Sequence, residues 1–148
     1  MNINTRDFGI VSVDDDAIYH FPQGIYGFEE DTQFALFKQD FDELSFLYLQ
    51  STQNIIPSFL VFEPWDFYPG YAPQISPEDL KACQVDSIED LIFLVIATVP
   101  QSIEDLSLNI KSPVVLNPKS KQGRQVILEN SDYTVRYKPF QQSGKAGV

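Results

Sequence analysis

The side chains able to do chemistry in this sequence are few and scattered. His20 is the sole histidine and Cys83 the sole cysteine. Nucleophilic catalysis needs a base beside the nucleophile, usually a histidine. His20 stands between Tyr19 and Phe21 in a run that reads as a strand, so it is expected to be a structural or surface residue. Cys83 falls late on a predicted helix, away from the helix N-terminus that would lower a thiol's pKa, and reads as an ordinary thiol. A single cysteine excludes an internal disulfide and a thiolate zinc site, which favours a reducing compartment. Asp14-Asp15-Asp16 is suggestive of a metal loop, but the downstream ligands of a calcium loop are missing, and we read it as a turn. The acid clusters Glu29-Glu30-Asp31, Asp42-Glu43, Glu89-Asp90 and Glu104-Asp105 also fall in turns, where charge is solvated. Gly24 and Gly27 are not followed by Lys-Ser or Lys-Thr, so no phosphate loop is present. They read as structural turn glycines that permit positive φ. The expectation is a protein without catalytic residues, cofactor or metal.

The segment Glu63-Pro64-Trp65-Asp66-Phe67-Tyr68-Pro69-Gly70-Tyr71-Ala72-Pro73 has a different character. Four aromatics crowd a proline-rich stretch where strand periodicity has stopped. One reading is a plug over the end of a barrel. The other is a recognition surface, because aromatics with polar tips are enriched at binding hot spots. On that second reading Glu63, Trp65, Asp66, Phe67, Tyr68 and Tyr71 are candidate partner-binding residues, the two acids suiting a partner with basic groups. Asn117 joins them. With Asn109 it flanks a strand interrupted at Pro113, where a sheet edge could accept partner backbone, although turn hydrogen bonding explains both asparagines equally well.

Composition bounds the class. At 148 residues the chain has the length of one domain. Such a domain buries roughly 70% of the surface its unfolded form exposes, enough for a core without disulfide or metal. A hydrophobic fraction of 43%, with 12 Phe and 7 Tyr, excludes wholesale disorder. The N-terminal residues Met1 to Asp7 carry no apolar stretch behind Arg6, unlike a signal peptide. The longest apolar run, Leu91 to Ala97, falls far short of the ~20 residues that span a bilayer. A cytoplasmic protein without membrane contact is expected.

The net charge of −11 argues against direct nucleic-acid binding, which needs clustered Lys and Arg. Charge is also uneven: residues 1–110 carry 3 basic and 19 acidic side chains, whereas 111–148 carry 7 basic and 2 acidic ones. The acidic part is either a solvated surface or a field that steers a basic partner inward. High acidity also favours a monomer.

Period-two apolar runs bounded by turn residues recur along the chain. They predict strands at 8–13, 17–21, 34–37, 46–49, 59–62, 106–110, 114–116, 125–128 and 134–137. Asp14-Asp15-Asp16 is expected to turn a hairpin between the first two, and Asn130-Ser131-Asp132 to turn a hairpin between the last two. Pro113 marks an edge or bulge. Ser76-Pro77-Glu78-Asp79-Leu80 sets an N-cap serine, a first-turn proline and first-turn acids, predicting a short helix from Pro77 to about Cys83. Leu91 to Val99 is continuously apolar, as in a strand buried on both faces. The fold class is mainly β: a small antiparallel barrel-like single domain over residues 1–140 with one short helix, followed by a frayed polar tail at 141–148.

Taken in order, these pieces resemble the flagellar assembly factor FliW family. The resemblance rests on Phe21-Pro22-Gln23-Gly24-Ile25-Tyr26-Gly27-Phe28-Glu29, Leu49-Gln50-Ser51, Phe62-Glu63-Pro64 and Tyr71-Ala72. It continues through Leu108-Asn109-Ile110-Lys111-Ser112-Pro113-Val114-Val115-Leu116-Asn117 and Gln125-Val126-Ile127-Leu128. Tyr26 stands where the family commonly has proline, and Ile110-Lys111-Ser112 replaces leucine-basic-alanine. The resemblance implies a compact β-barrel-like protein without catalysis and two protein partners, flagellin and the RNA-binding translational regulator CsrA. It further implies that the factor held by flagellin is withheld from the regulator, and that the freed factor antagonises it. A small-molecule-binding barrel is the alternative from another class and requires an apolar cavity. A hydrolase would need His20 in a cleft beside a serine or Cys83.

Overall fold

Alternating apolar residues build strands here, and most strands find an apolar partner on each of their two faces. A computed structural model describes residues 1–129 and 132–141. Its strands are β1 (Asn2–Thr5), β2 (Gly9–Ser12), β3 (Ile18–His20), β4 (Gln33–Phe41), β5 (Leu44–Ser51) and β6 (Ser58–Phe62). They continue with β7 (Ile92–Thr98), β8 (Ser107–Leu108), β9 (Val114–Asn117) and β10 (Gln122–Gln125), and the helix α1 (Pro77–Ala82) lies between β6 and β7. An eight-stranded sheet runs β6-β5-β4-β3-β10-β9-β7-β8, and a further β6–β7 pairing returns it to its start. The result is a barrel-like ring, closed between β3 and β10 by one parallel pair, Gln122 with His20. β8 hangs outside the ring on β7, and β1 and β2 form a separate antiparallel hairpin.

The ring interior is filled by Tyr19, Phe21, Phe34, Leu49, Leu94 and Leu116 with their neighbours. Alternate residues of the same strands face outward into two further clusters. Ala35 and Phe37 of β4 pack beneath Ile3 and Val13 of the β1–β2 hairpin. Phe93 and Val95 of β7 and Val115 of β9 pack under Tyr71, Cys83, Leu106 and Leu128. Burial on both faces is why 91–99 reads as an unbroken apolar run.

Several expected elements differ. The run around 8–13 pairs backward with Asn2–Thr5, a strand whose Asn-Ile-Asn-Thr alternation is polar on its outer face. Asp14–Asp16 therefore bridges two separate sheets and does not turn a hairpin; Asp15–Ala17 is a short 3-10 turn. The 106–110 strand shortens to Ser107–Leu108, because Asn109 turns the chain by accepting from the Ser112 amide. Pro113 precedes β9, which is paired on both sides by β7 and β10 and is not at an edge. The terminal hairpin does not form. Gln125 ends β10, and the chain then runs beside 111–113 through bonds from the Val126 amide to the Pro113 carbonyl and from the Leu128 amide to the Lys111 carbonyl. Asn130, Ser131 and 142–148 lie outside the described residues, so that turn and most of the predicted tail do too. Gln141, its first residue, donates to Asp105 Oδ1 at 2.7 Å.

The helix forms as its residues dictate. Ser76 Oγ accepts from the Asp79 amide at 3.1 Å, Pro77 opens the first turn, and Asp79 holds Arg124 in a 2.8 Å ion pair.

Candidate functional site

The residues after β6 turn the chain across the end of the outer cluster. A 3-10 turn at Pro64–Asp66 redirects it, with Pro64 buried. Trp65 is 42% exposed, yet its indole N–H donates to the Tyr71 carbonyl at 2.9 Å and its ring meets Tyr71 and Phe93 edge-on. Tyr71 points inward and is buried, its hydroxyl donating to the Ile110 carbonyl at 2.7 Å. Burial, with Tyr133 nearby, pushes that phenol far above its ordinary range. Tyr68 is half-buried among Tyr71, Tyr133 and Tyr137. Glu63 and Asp66 are exposed to solvent.

The loop is thus partly a plug and partly a surface. Tyr71 belongs to the core and holds the loop down. Trp65, Glu63 and Asp66 form its exposed part, and Phe67 faces sideways against Phe62 and Phe140. Asn117 is separate from this group and buried. Its amide donates to the Cys83 carbonyl at 2.7 Å, and its side-chain oxygen accepts from the Lys119 amide at 3.0 Å. That geometry is the turn hydrogen bonding weighed above, and it leaves Asn117 facing inward.

Phe67 is also one wall of a feature that the sequence did not reveal. The outer face of β5 and β6 carries Phe46, Tyr48, Leu60 and Phe62, which alternate with the inward-facing Leu47, Leu49, Phe59 and Val61. Among the described residues no element lies over this face, and it forms the floor of an apolar groove of about 410 Å³. Phe41 and Leu44 close it at the β4–β5 turn, where Phe8 of the β1–β2 hairpin packs on Phe41 and Tyr48. Phe67 and Phe140 bound it at the other end, and Val99, Ile103 and Leu106 form its side. Leu44 and Ile103 are 62% and 58% exposed, so the apolar surface is open to solvent. Exposed apolar patches of this kind mark interaction sites.

The border of the groove is acidic. Asp42 and Glu43 lie between Phe41 and Leu44, Glu104 and Asp105 between Ile103 and Leu106, and Glu63 and Asp66 beside Phe62 and Phe67; all six are exposed. The lining segments 41–67 and 99–106 contain no lysine or arginine. The sequence concealed the groove because both faces of β5 and β6 are apolar. Which face stays uncovered depends on where the hairpin and the aromatic loop dock.

The other candidates resolve structurally. Gly24 and Gly27 have φ of +66° and +90°, in the turn where Ile25 bridges to Phe28. His20 is exposed on β3. Cys83 is buried at the C-terminal end of α1, and burial raises its thiol pKa. Among the described residues no cluster of three or more His, Cys, Asp or Glu has metal-binding geometry. No helix among them is long and apolar enough to cross a membrane.

The Leu49-Gln50-Ser51 piece has a clear structural role. Gln50 is buried, its Oε1 accepting from the Arg6 amide at 3.1 Å and its amide N–H groups donating to the carbonyls of Ser51, Asn54 and Ile55. It ties the N-terminal hairpin to the barrel and folds the loop before β6. Ser51 donates to the buried Asp31 carboxylate at 2.7 Å.

Comparison with known proteins gives a consistent picture over most of the chain. The family model described as FliW protein matches residues 2–139. The "Flagellar assembly factor FliW" of Thermoanaerobacter pseudethanolicus is 34% identical over 137 residues, covering 93% of this chain and 91% of that protein. The protein of the same name from Syntrophomonas wolfei is 36% identical over 141 residues, covering 95% and 90%. A solved structure described as the "Crystal structure of the flagellar assembly factor FliW" superposes with a TM-score of 0.84 at 31% identity, covering 95% of this chain and 97% of that one.

Proposed function

This chain belongs to the FliW family of flagellar assembly factors, and from that premise we propose that it works by partner switching in the cytoplasm. In this reading it binds flagellin and, when flagellin is exported, binds and antagonises the translational regulator CsrA. The observation that carries the proposal is the exposed apolar groove bordered by acids and continuous with the aromatic loop. Apolar anchors supply affinity. The surrounding carboxylates raise the encounter rate with a basic surface such as an RNA-binding regulator presents, and they disfavour direct contact with nucleic acid. The reading needs no catalytic step, and the residues that the sequence offered for one lie apart, His20 on the surface and Cys83 in the interior. The small-molecule reading loses its cavity because the barrel interior is filled by side chains.

The partner-binding residues proposed within the loop are Glu63, Trp65, Asp66, Phe67 and Tyr68, with Tyr71 acting from beneath as their support. The test is calorimetric titration of the protein with its cognate flagellin and separately with the regulator, repeated after Trp65→Ala with Tyr68→Ala. Saturable binding of both partners, weakened at least about tenfold by the double variant, is expected for loss of hot-spot aromatics. Melting curves confirm that the variant is folded. Unchanged affinity for both partners would remove the loop from the interface, and no binding to either would sink the assignment.

A further inference from the structure

The groove has a shape and charge that specify what it can hold. Resting on the partner-binding reading above, we propose that the groove over β5 and β6 receives an amphipathic α-helix whose apolar stripe is flanked by lysine or arginine. Backbone pairing supports a helical occupant. β5 carries the length of the floor and is paired with β4 from Leu44 to Ser51 and with β6 from Leu47 to Gln50, so its unpaired edge is confined to Leu44–Phe46, too short to hold an extended peptide by backbone pairing alone. The occupant must therefore be recognised through side chains. From Leu44 to Tyr48 the floor spans four residue steps, about 14 Å at the strand rise. That length matches about nine residues of α-helix, with apolar anchors at i, i+4 and i+7.

The other outer faces of the barrel are already covered, and their covers are of the same apolar kind. The β1–β2 hairpin shields β3 and β4, and the aromatic loop with the segment around Tyr133 and Tyr137 shields β7 and β9. Among the described residues the apolar floor across β5 and β6 is left without such a cover, and Phe46 contacts Phe62 and Phe41 along it. A solvent-exposed floor of this kind is a docking face. The charge then selects the partner. Asp42 and Glu43 stand at one end, Glu63 and Asp66 at the other, and Glu104 and Asp105 along the side. A helix with basic flanks meets these acids, whereas an acidic one is repelled by them. A second copy of this chain, with its net charge of −11, is disfavoured for the same reason.

The experiment is an NMR titration of the 15N-labelled full chain with two alanine-based peptides of about 16 residues, long enough to be helical. Both carry leucines at i, i+4 and i+7; one has lysine flanks and the other glutamate flanks. The lysine peptide is expected to shift amides of 44–48, 60–62 and 103–106, and to bind at least about tenfold tighter than the glutamate peptide at low salt. Leu44→Asn or Ile103→Asn should each weaken it by about tenfold, the loss expected when an anchor pocket is made polar. Ile10→Asn, an equally exposed change on the β1–β2 hairpin, should leave it unchanged. Shifts confined to other residues, equal binding of both peptides, or no shifts at millimolar peptide would each overturn the inference. Flagellin titrated into the same labelled sample separates the two readings: binding of flagellin without the peptide refutes the groove assignment alone, and peptide binding without flagellin refutes the partner assignment alone.

Discussion

Gly24 and Gly27 form a matched pair for testing how the turn before β4 is built. Both have positive φ, so alanine at either position meets the left-handed penalty of about 1–2 kcal/mol. Their surroundings differ. A Cβ on Gly27 meets nothing within 4 Å, whereas one on Gly24 falls 2.6 Å from Glu29 Cα and 2.7 Å from the Phe28 carbonyl oxygen. Those are backbone atoms and cannot swing aside. Gly24→Ala must therefore displace the 24–29 turn and adds an overpacking cost of about 1–3 kcal/mol. The totals are roughly 1–2 kcal/mol for Gly27→Ala and roughly 2–5 kcal/mol for Gly24→Ala. For a domain of this size about 3 °C of melting temperature corresponds to each kcal/mol. Thermal melts followed by circular dichroism should then fall by about 3–6 °C for Gly27→Ala and about 6–15 °C for Gly24→Ala. Urea titrations at 25 °C should give the same order with unchanged m-values. Equal losses for the two variants, or a neutral Gly24→Ala, would refute the close approach of the two arms of the turn.

Two further perturbations address the core. Tyr71→Phe removes the donor to the Ile110 carbonyl and should cost about 1–3 kcal/mol in urea titrations at neutral pH. Tyr71 keeps its proton in the folded state above the pH at which an unfolded tyrosine ionises, so its contribution to wild-type stability should be level below about pH 10 and fall above it. Cys83 adds a loss of the same sign beginning somewhat lower, because burial also raises its pKa. Tyr71→Phe should flatten the fall above pH 10, and wild-type stability that rises from pH 9 to 11 would contradict the assignment. Gln50→Leu strips the Arg6 amide and three loop carbonyls of their buried partner and should cost about 2–4 kcal/mol. Hydrogen exchange at the Arg6 amide should quicken markedly, and unchanged exchange would mean that Gln50 does not anchor the hairpin.

Much of the architecture was legible because local pattern and tertiary role agree. Phe59 to Phe62 alternates, and the structure places its residues alternately inside and outside the ring. Ser76 and Pro77 announced a helix that starts where they stand. The errors lie where pairing is decided at long range. Asp14–Asp16 looked like a hairpin turn because both flanking runs are β-rich, but one of them pairs with Asn2–Thr5, whose alternation is mostly polar. Gln125–Leu128 looked like a strand of a terminal hairpin, yet β10 is claimed by β9 and β3. The candidate site was legible as a place more than as a set of side chains. The aromatic loop stood out by composition, but nothing local told Tyr71, which is buried, from Trp65, which is not. Asn117 was singled out by its position at a strand end, and the burial of that end was set by the helix C-terminus at Cys83. The groove was not legible, because Phe46, Tyr48, Leu60 and Phe62 have the same apolar pattern as residues facing a filled core.

The most direct test of the central claim is a competition titration: flagellin added to a preformed mixture of this protein and the regulator, at low and at moderate salt. Displacement of the regulator by flagellin, with regulator binding weakening as salt rises, is the result expected for acid-steered binding at a shared or coupled surface. Simultaneous binding of both partners without loss of affinity for either would contradict it.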